Sequence, residues 1–585
     1  MTAVTIALVQ VLYLVALYIP MGWRPLALPR GFRVGMGYLT ANAIALCVGY
    51  SLDMLGCFSA TLTFWVLLGI FSLLNLMCWR RVPPSNIQSR GRKYIYMLLA
   101  ASMALTTWIR LADPVQNIAL PGIDSYNFVN FYSWILNDQK AINGYPSGFA
   151  LVTSIAPWRI CPYQAVRWAP HFVFLSCLAA SFGFWSRLGG LCFALILNFL
   201  LGTAWFLYPI TAYHPHFIQW TMAFVGMPTL LLLYTRLARG EPIIPNLLLG
   251  ISLNVVFAMT MGYFSLYINA VLLILTLISI PKRVAALKTA AAAACIALVP
   301  PLTLLGYYCI FNGISNQTQE VIAAVNQQTD SMKTSFMRNS PLAQVIFTFL
   351  LPADALHAGP RWGVYSGLIL LGICILHWSR PARHTGARFL AGILIFSAVS
   401  SMTGIFELPG WGGRNVFITL YTGLAAVLWT VIHRLPVMAR RVMRSPWLLT
   451  LGIVTVAVPS LVWPPMIGRN VPIADVVQPR SIPVDNLVLR ELTRPGNSPS
   501  GKKTLVIIHS RDLPSPLIRS LLAMSSQTRS NIFPAYRAVV TVDAVSIPAF
   551  DALLVADHRA ADIHIPDDFT IRTRGPGYIF ALREP

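Results

Sequence analysis

The chain has 585 residues, of which 56% are hydrophobic and only 11% charged, with a formal net charge of +23. Ordinary soluble proteins carry about a quarter charged residues, so a mean hydropathy of +0.64 excludes that class and predicts an all-α polytopic membrane protein. The positive charge does not point to nucleic acid, because the basic residues sit in short loops between apolar runs, the positive-inside pattern of membrane proteins.

Taken in chain order, apolar runs long enough for a hydrocarbon core of roughly 30 Å fall near 3–20, 35–55, 60–79, 94–111, 168–186, 189–208, 217–235, 245–262, 264–281, 290–310, 363–379, 387–404, 415–433 and 446–463. The first run, from Ala3 to Ile19, has no basic residue ahead of it and reads as a retained span. Basic loops alternate with non-basic ones, from Arg80 and Arg81 through Arg236 and Arg239 to Arg440 and Arg441. This alternation predicts about 14 spans with the N-terminus outside, and Glu241 is the only acid in the inside loops. The organisation expected is N-terminal spans over 1–111, a large outer loop over 112–167, a transmembrane core over 168–463 with an outer loop at 312–362, and an outer tail over 464–585.

The outer loop contains "GIDSYNFVNFYSWILNDQKAINGYPSGFALV", Gly122 to Val152. From Asp124 it turns helical, with Phe128, Phe131, Tyr132 and Ile135 at i, i+3, i+4 and i+7. Such a stripe is expected to rest in the headgroup region. Asp124 fits a helix N-cap, with Ile123 and Phe128 as a hydrophobic staple. A turn over Tyr145–Gly148 then leads to a short apolar piece, Phe149–Trp158, expected near the interface.

Further candidates follow. His214 and His216 in "TAYHPHF" can hold a phosphate or share a metal, or simply make a polar turn, and no nearby Asp or Glu completes a metal site. In the 312–362 loop, Lys333, Arg338 and Arg361 lie outside against the positive-inside trend, and Arg361 stands beside Trp362 at a span entrance. Arg414 in "ELPGWGGRN" opens an apolar run, where an Arg either faces a polar cavity or snorkels. The spans are expected to hold almost no charge apart from Asp53 near an outer end, which counts against ion-coupled transport. Most of the nine cysteines lie in apolar runs; only Cys57 and Cys161 fall near the outer face, where they could pair. The tail shows β-like runs at 504–510, 538–544, 552–557 and 578–583 and a helical stretch near 514–525, a small α/β domain of structural or recognition type.

The order "D-x-Y", some twenty residues, then "Y-P-x-G-F" in a large outer loop resembles integral-membrane glycosyltransferases of the GT-C superfamily. The resemblance rests on Asp124 and on Tyr145-Pro146-Ser147-Gly148-Phe149 and covers roughly residues 95–430. It implies a GT-C-like fold in a bacterial inner membrane, with Asp124 as the catalytic acid/base. The implied donor is a sugar on a polyprenyl phosphate, and the implied acceptor an extracytoplasmic glycan, lipid or protein. Tyr145, Arg361, His214 and His216 become substrate-binding candidates, and Arg414 a phosphate clamp, because a bidentate fork suits phosphate. Many relatives place the acid after the first span, whereas here it follows the fourth, and Ala150 stands where many carry His. Those departures leave a divalent cation open. Alternative readings are a glycan or lipid transporter or flippase, and a polymerase or ligase relying more on outer Arg residues than on Asp124.

Overall fold

The computed structural model describes residues 2–15, 33–79, 90–116, 123–136, 139–142, 146, 148–203, 218–261, 263–279, 284–312, 362–378, 385–403, 414–434, 503–509, 536–541, 551–556, 565–575 and 578–583. The described chain is mostly helical. In order, the helices are α1 (Thr2–Val15), α2 (Arg33–Met54), α3 (Ala60–Trp79), α4 (Arg90–Gln116), α5 (Ile123–Leu136), α6 (Gly148–Ser154), α7 (Pro162–Gly189) and α8 (Leu191–Thr203). They continue as α9 (Ile218–Ala238), α10 (Ile243–Met261), α11 (Tyr263–Ser279), α12 (Val284–Asn312), α13 (Trp362–Trp378), α14 (Thr385–Thr403) and α15 (Arg414–Arg434).

Each expected span up to 415–433 overlies one of these helices, and the run at 446–463 lies outside the described residues. Among the described residues, four helices hold a stretch long and apolar enough to cross a membrane by length and composition: Ala60–Met77, Pro162–Gly189, Ile243–Thr260 and Leu287–Ile310. α3 shows what such a helix presents to its surroundings. Leu62, Trp65, Leu73 and Leu76 are exposed, while Leu67 and Phe71 are buried. A continuous exposed apolar face of this kind marks a surface that meets lipid or another protein.

α7 is the helix the others pack around, touching α1, α2, α4, α5, α6, α8 and α9. It begins with Pro162, whose missing N–H is no loss in a first turn. Polar side chains tie the bundle together internally. Asn254 of α10 and Asn269 of α11 exchange amide hydrogen bonds at 2.8 and 2.9 Å. Tyr234 of α9 donates to Asn269 at 3.0 Å, and Asn254 also donates to the Ile296 carbonyl of α12 at 2.9 Å. Four helices therefore meet at one buried amide pair.

The tail is α/β-like in its strands. β1 (Lys503–His509), β2 (Tyr536–Thr541), β3 (Ala552–Ala556), β4 (Phe569–Gly575) and β5 (Tyr578–Arg583) form one sheet of order β2-β1-β3-β5-β4. β1 pairs parallel with β2 and β3, while β5 pairs antiparallel with β3 and β4. The strand β4 was not expected from sequence, and the helical stretch expected near 514–525 lies outside the described residues.

Candidate functional site

α5 starts at Ile123, so Asp124 stands inside the first helical turn. An N-cap flanks the helix, so the expected capping position is corrected: Asp124 sits where the helix dipole favours negative charge. The helix is held by its buried face. Val129, Tyr132 and Ile135 are fully buried, and the Phe128 and Phe149 rings stand 5.3 Å apart. Thr153 Oγ1 donates to the Phe149 carbonyl at 2.7 Å, so its contact with Tyr132 at 2.8 Å is donated by the phenol. Burial pushes the Tyr132 hydroxyl above the usual tyrosine range, which keeps it a donor. The aromatic stripe expected among headgroups is thus spent mainly on protein. Periodicity identifies a shared face but not what covers it.

α6 begins at Gly148, and every one of its residues is buried. The expected interfacial piece is therefore an interior helix, packed by α1, α2, α5, α7 and α10. Gly148 is required at its start. A Cβ there would lie 2.6 Å from the Met259 carbonyl oxygen of α10 and 2.8 Å from Leu46.

Asp53, the acid expected inside a span, has a structural task. Its carboxylate accepts the backbone N–H groups of Ala141 and Ile142 at 2.8 and 2.6 Å. Beside it, Gln139 adopts φ 53, in the left-handed region. The end of α2 therefore fixes the segment that follows α5.

A second group was missed from sequence. Arg110 of α4 is 1% exposed and lies over the Phe174 ring of α7, 3.6 Å from its centroid. His171 is 4% exposed, and the charges of Arg110 and Arg167 both act on its ring. Arg167, His171 and Phe174 stand at i, i+4 and i+7, one stripe of α7. Pro170, between the first two, cannot donate to the Val166 carbonyl. The expectation that the spans hold almost no charge apart from Asp53 fails at Arg110.

The depth of this group follows from helix geometry. Arg167 and Arg187 are separated along α7 by about 30 Å at roughly 1.5 Å per residue, which matches a hydrocarbon core of roughly 30 Å. Lys93 and Arg110 on α4 are separated by about 26 Å on the same rise. On the sidedness expected from the basic loops, the outer ends of α4 and α7 would carry Arg110 and Arg167 at one edge of the apolar layer. Trp108, two residues before Arg110, is 71% exposed, as an interfacial tryptophan would be.

The other expected residues are only partly placed. Arg414 opens α15, which is pinned to the bundle where Trp185 Nε1 donates to the Tyr421 hydroxyl at 2.9 Å and Tyr421 donates to the Phe224 carbonyl at 3.3 Å. Tyr145, His214, His216 and Arg361 lie outside the described residues. Cys57 and Cys161 are both free thiols. Among the described residues no group of three or more His, Cys, Asp and Glu side chains comes together to hold a metal ion. No protein-family model matches the chain, and no curated protein matches it.

Proposed function

We propose that this protein is a membrane glycosyltransferase of GT-C type, moving a sugar from a polyprenyl-phosphate donor to an extracytoplasmic glycan, lipid or protein acceptor. The observation that supports the reading is that the helices carrying the two halves of the sequence motif pack on each other. The helix that begins beside Asp124 packs, through Phe128 and Tyr132, on the helix that begins at Gly148 of the Tyr-Pro-Ser-Gly-Phe turn. In this reading Asp124 takes the proton of the acceptor hydroxyl as it attacks the anomeric carbon. The departing phosphate carries the negative charge and is held by cations. A multi-pass placement in a bacterial inner membrane, with the sheet-bearing tail outside, belongs to the same reading.

The buried arginine at the outer end of α4 also fits a glycan ligase or polymerase, in which cations carry the work in place of a carboxylate. Asp124→Asn separates the two. Asn keeps the size of the side chain, so folding and membrane insertion are expected to stay intact. In the transferase reading, turnover of purified protein with a polyprenyl-phosphate sugar pool falls by roughly 10²–10⁴-fold. Wild-type turnover in the Asn variant would remove Asp124 from the mechanism and favour the ligase reading.

A further inference from the structure

We infer that the groove between the first turns of α10 and α12 holds one anionic phospholipid, with its phosphate at Lys288 and an acyl chain along the α12 wall. The inference stands apart from sugar transfer and uses no residue of the Asp124 and Tyr-Pro-Ser-Gly-Phe motif.

α11 lies between α10 and α12 in the chain and packs on both, so α10 and α12 begin on the same side. Their first turns enclose a groove of about 780 Å³, a volume usual for a small-molecule site. Its width follows from the sequence. Lys288, Ala291, Ala292 and Cys295 stand at i, i+3, i+4 and i+7, so one face of α12 carries only small side chains after its lysine. Ile244 and Leu247 of α10 form the opposite wall. The groove is also short. One turn beyond Ala292, Ile296 fills the space against α10: its Cδ1 lies 2.6 Å from where a Cβ on Gly250 would stand, and its carbonyl accepts from Asn254 at 2.9 Å. Lys288 and Ile296 are separated by about 12 Å at roughly 1.5 Å per residue. A slot of that length admits the upper part of a flexible chain, whereas a docking helix needs an open face over several turns.

Charge selects the headgroup. The acid at the groove is Glu241, and the Arg236 guanidinium lies 2.7 Å from its carboxylate. Lys288 is exposed and makes no ion pair among the described residues, and the same holds for Arg239, two residues before Glu241. That end of the groove therefore carries net positive charge. Lys288 is the second residue of the apolar stretch Leu287–Ile310, so its stem runs along apolar surface and its ammonium reaches the headgroup layer. On the sidedness expected from the basic loops this would be the cytoplasmic leaflet, which carries anionic lipid. Exposed apolar residues continue from the groove along both helices, Leu248 and Ile251 on α10 and Leu298 and Leu302 on α12. A chain leaving the groove thus meets hydrocarbon.

The test is native mass spectrometry of the full chain in detergent, titrated separately with dioleoyl phosphatidylglycerol and dioleoyl phosphatidylcholine. The wild type is expected to prefer phosphatidylglycerol and to hold one copy more tightly than the rest. Lys288→Gln is expected to weaken that copy about fivefold, the share of one cation beside an anionic headgroup, and Lys288→Arg to keep it. Ala291→Phe fills the groove and is expected to abolish the tight copy although Lys288 remains. Melting curves monitor folding, and Cys295→Phe replaces Ala291→Phe if the latter fails to fold. Equal retention of the two lipids by the wild type, or a tight copy unchanged in the folded Lys288→Gln and groove-filling variants, overturns the inference. So does a stoichiometric co-purifying protein that the groove-filling variant loses while its lipid stays, because the groove then belongs to a partner helix.

Discussion

At the scale of single residues, Gly148 is the most constrained position in the outer segment. A methyl group there meets backbone, not a yielding side chain, at 2.6 Å from the Met259 oxygen. Gly148→Ala is therefore expected to lower the melting temperature of the purified protein, with a destabilisation of about 1–3 kcal/mol from overpacking. Gly69 of α3 is the control, because nothing lies within 4 Å of its would-be Cβ. Gly69→Ala is expected to melt at or slightly above wild type, since Ala favours helix over Gly. Equal losses in both variants would show that the contact with α10 is not what selects glycine. The glycine of the Tyr-Pro-Ser-Gly-Phe turn was visible in the sequence as a motif letter, yet its reason was not, because the partner backbone lies more than a hundred residues away. The same holds for Arg110. Counting charges loop by loop treats a basic residue near a helix end as a snorkelling tail, and only packing reveals the aromatic ring beneath it. The stripe of Arg167, His171 and Phe174 was missed too, although its i, i+4, i+7 spacing was there to be found.

At the scale of elements, helices were legible and their surroundings were not. Runs of apolar residues located a helix under each expected span within the described residues, and four of those helices are long and apolar enough to cross a bilayer. In α5 the stripe was right and its environment wrong, since aromatic residues suit headgroups and protein cores equally well. In the tail, β4 escaped notice because "FTIRTRG" carries two arginines and only two large apolar residues, so it lacks the apolar run that marked the other strands. The clearest element-level device is the Asn254–Asn269 pair, whose four amide N–H bonds are all used, two across the pair and two to the Ile296 and Ser265 carbonyls. Removing one amide leaves the other buried with a partner missing, whereas removing both leaves unpaired only the outside partners, the Tyr234 hydroxyl and the Ile296 carbonyl. Asn254→Leu and Asn269→Leu are each expected to lower the melting temperature, and the double variant to lose less than their sum. A coupling energy on the order of 0.6–1.7 kcal/mol is expected. Strictly additive losses in the four-protein cycle would mean that the two amides do not act as a unit.

At the scale of the whole molecule, sidedness governs every functional statement. The alternation of basic and non-basic loops, with the even number of spans expected from sequence, would place the tail on the side of the N-terminus. A reporter fused after Arg583 is therefore expected to be active only in the extracytoplasmic compartment; activity in the cytoplasm would mean that the span count has the wrong parity. The packing of α6 also imposes an order on biogenesis. Its walls come from α1, α2, α5 and α7, and from α10, whose Met259 abuts Gly148. Synthesis runs from N- to C-terminus at roughly 5–20 residues per second, so α6 waits about 5–20 s after it is made before its last wall exists. During that interval the ribosome has already delivered α7, α8 and α9 to the membrane. The segment bearing the motif is thus completed late, by a helix that carries none of it, and a nascent chain stopped before Met259 would hold both halves of the motif without a finished site.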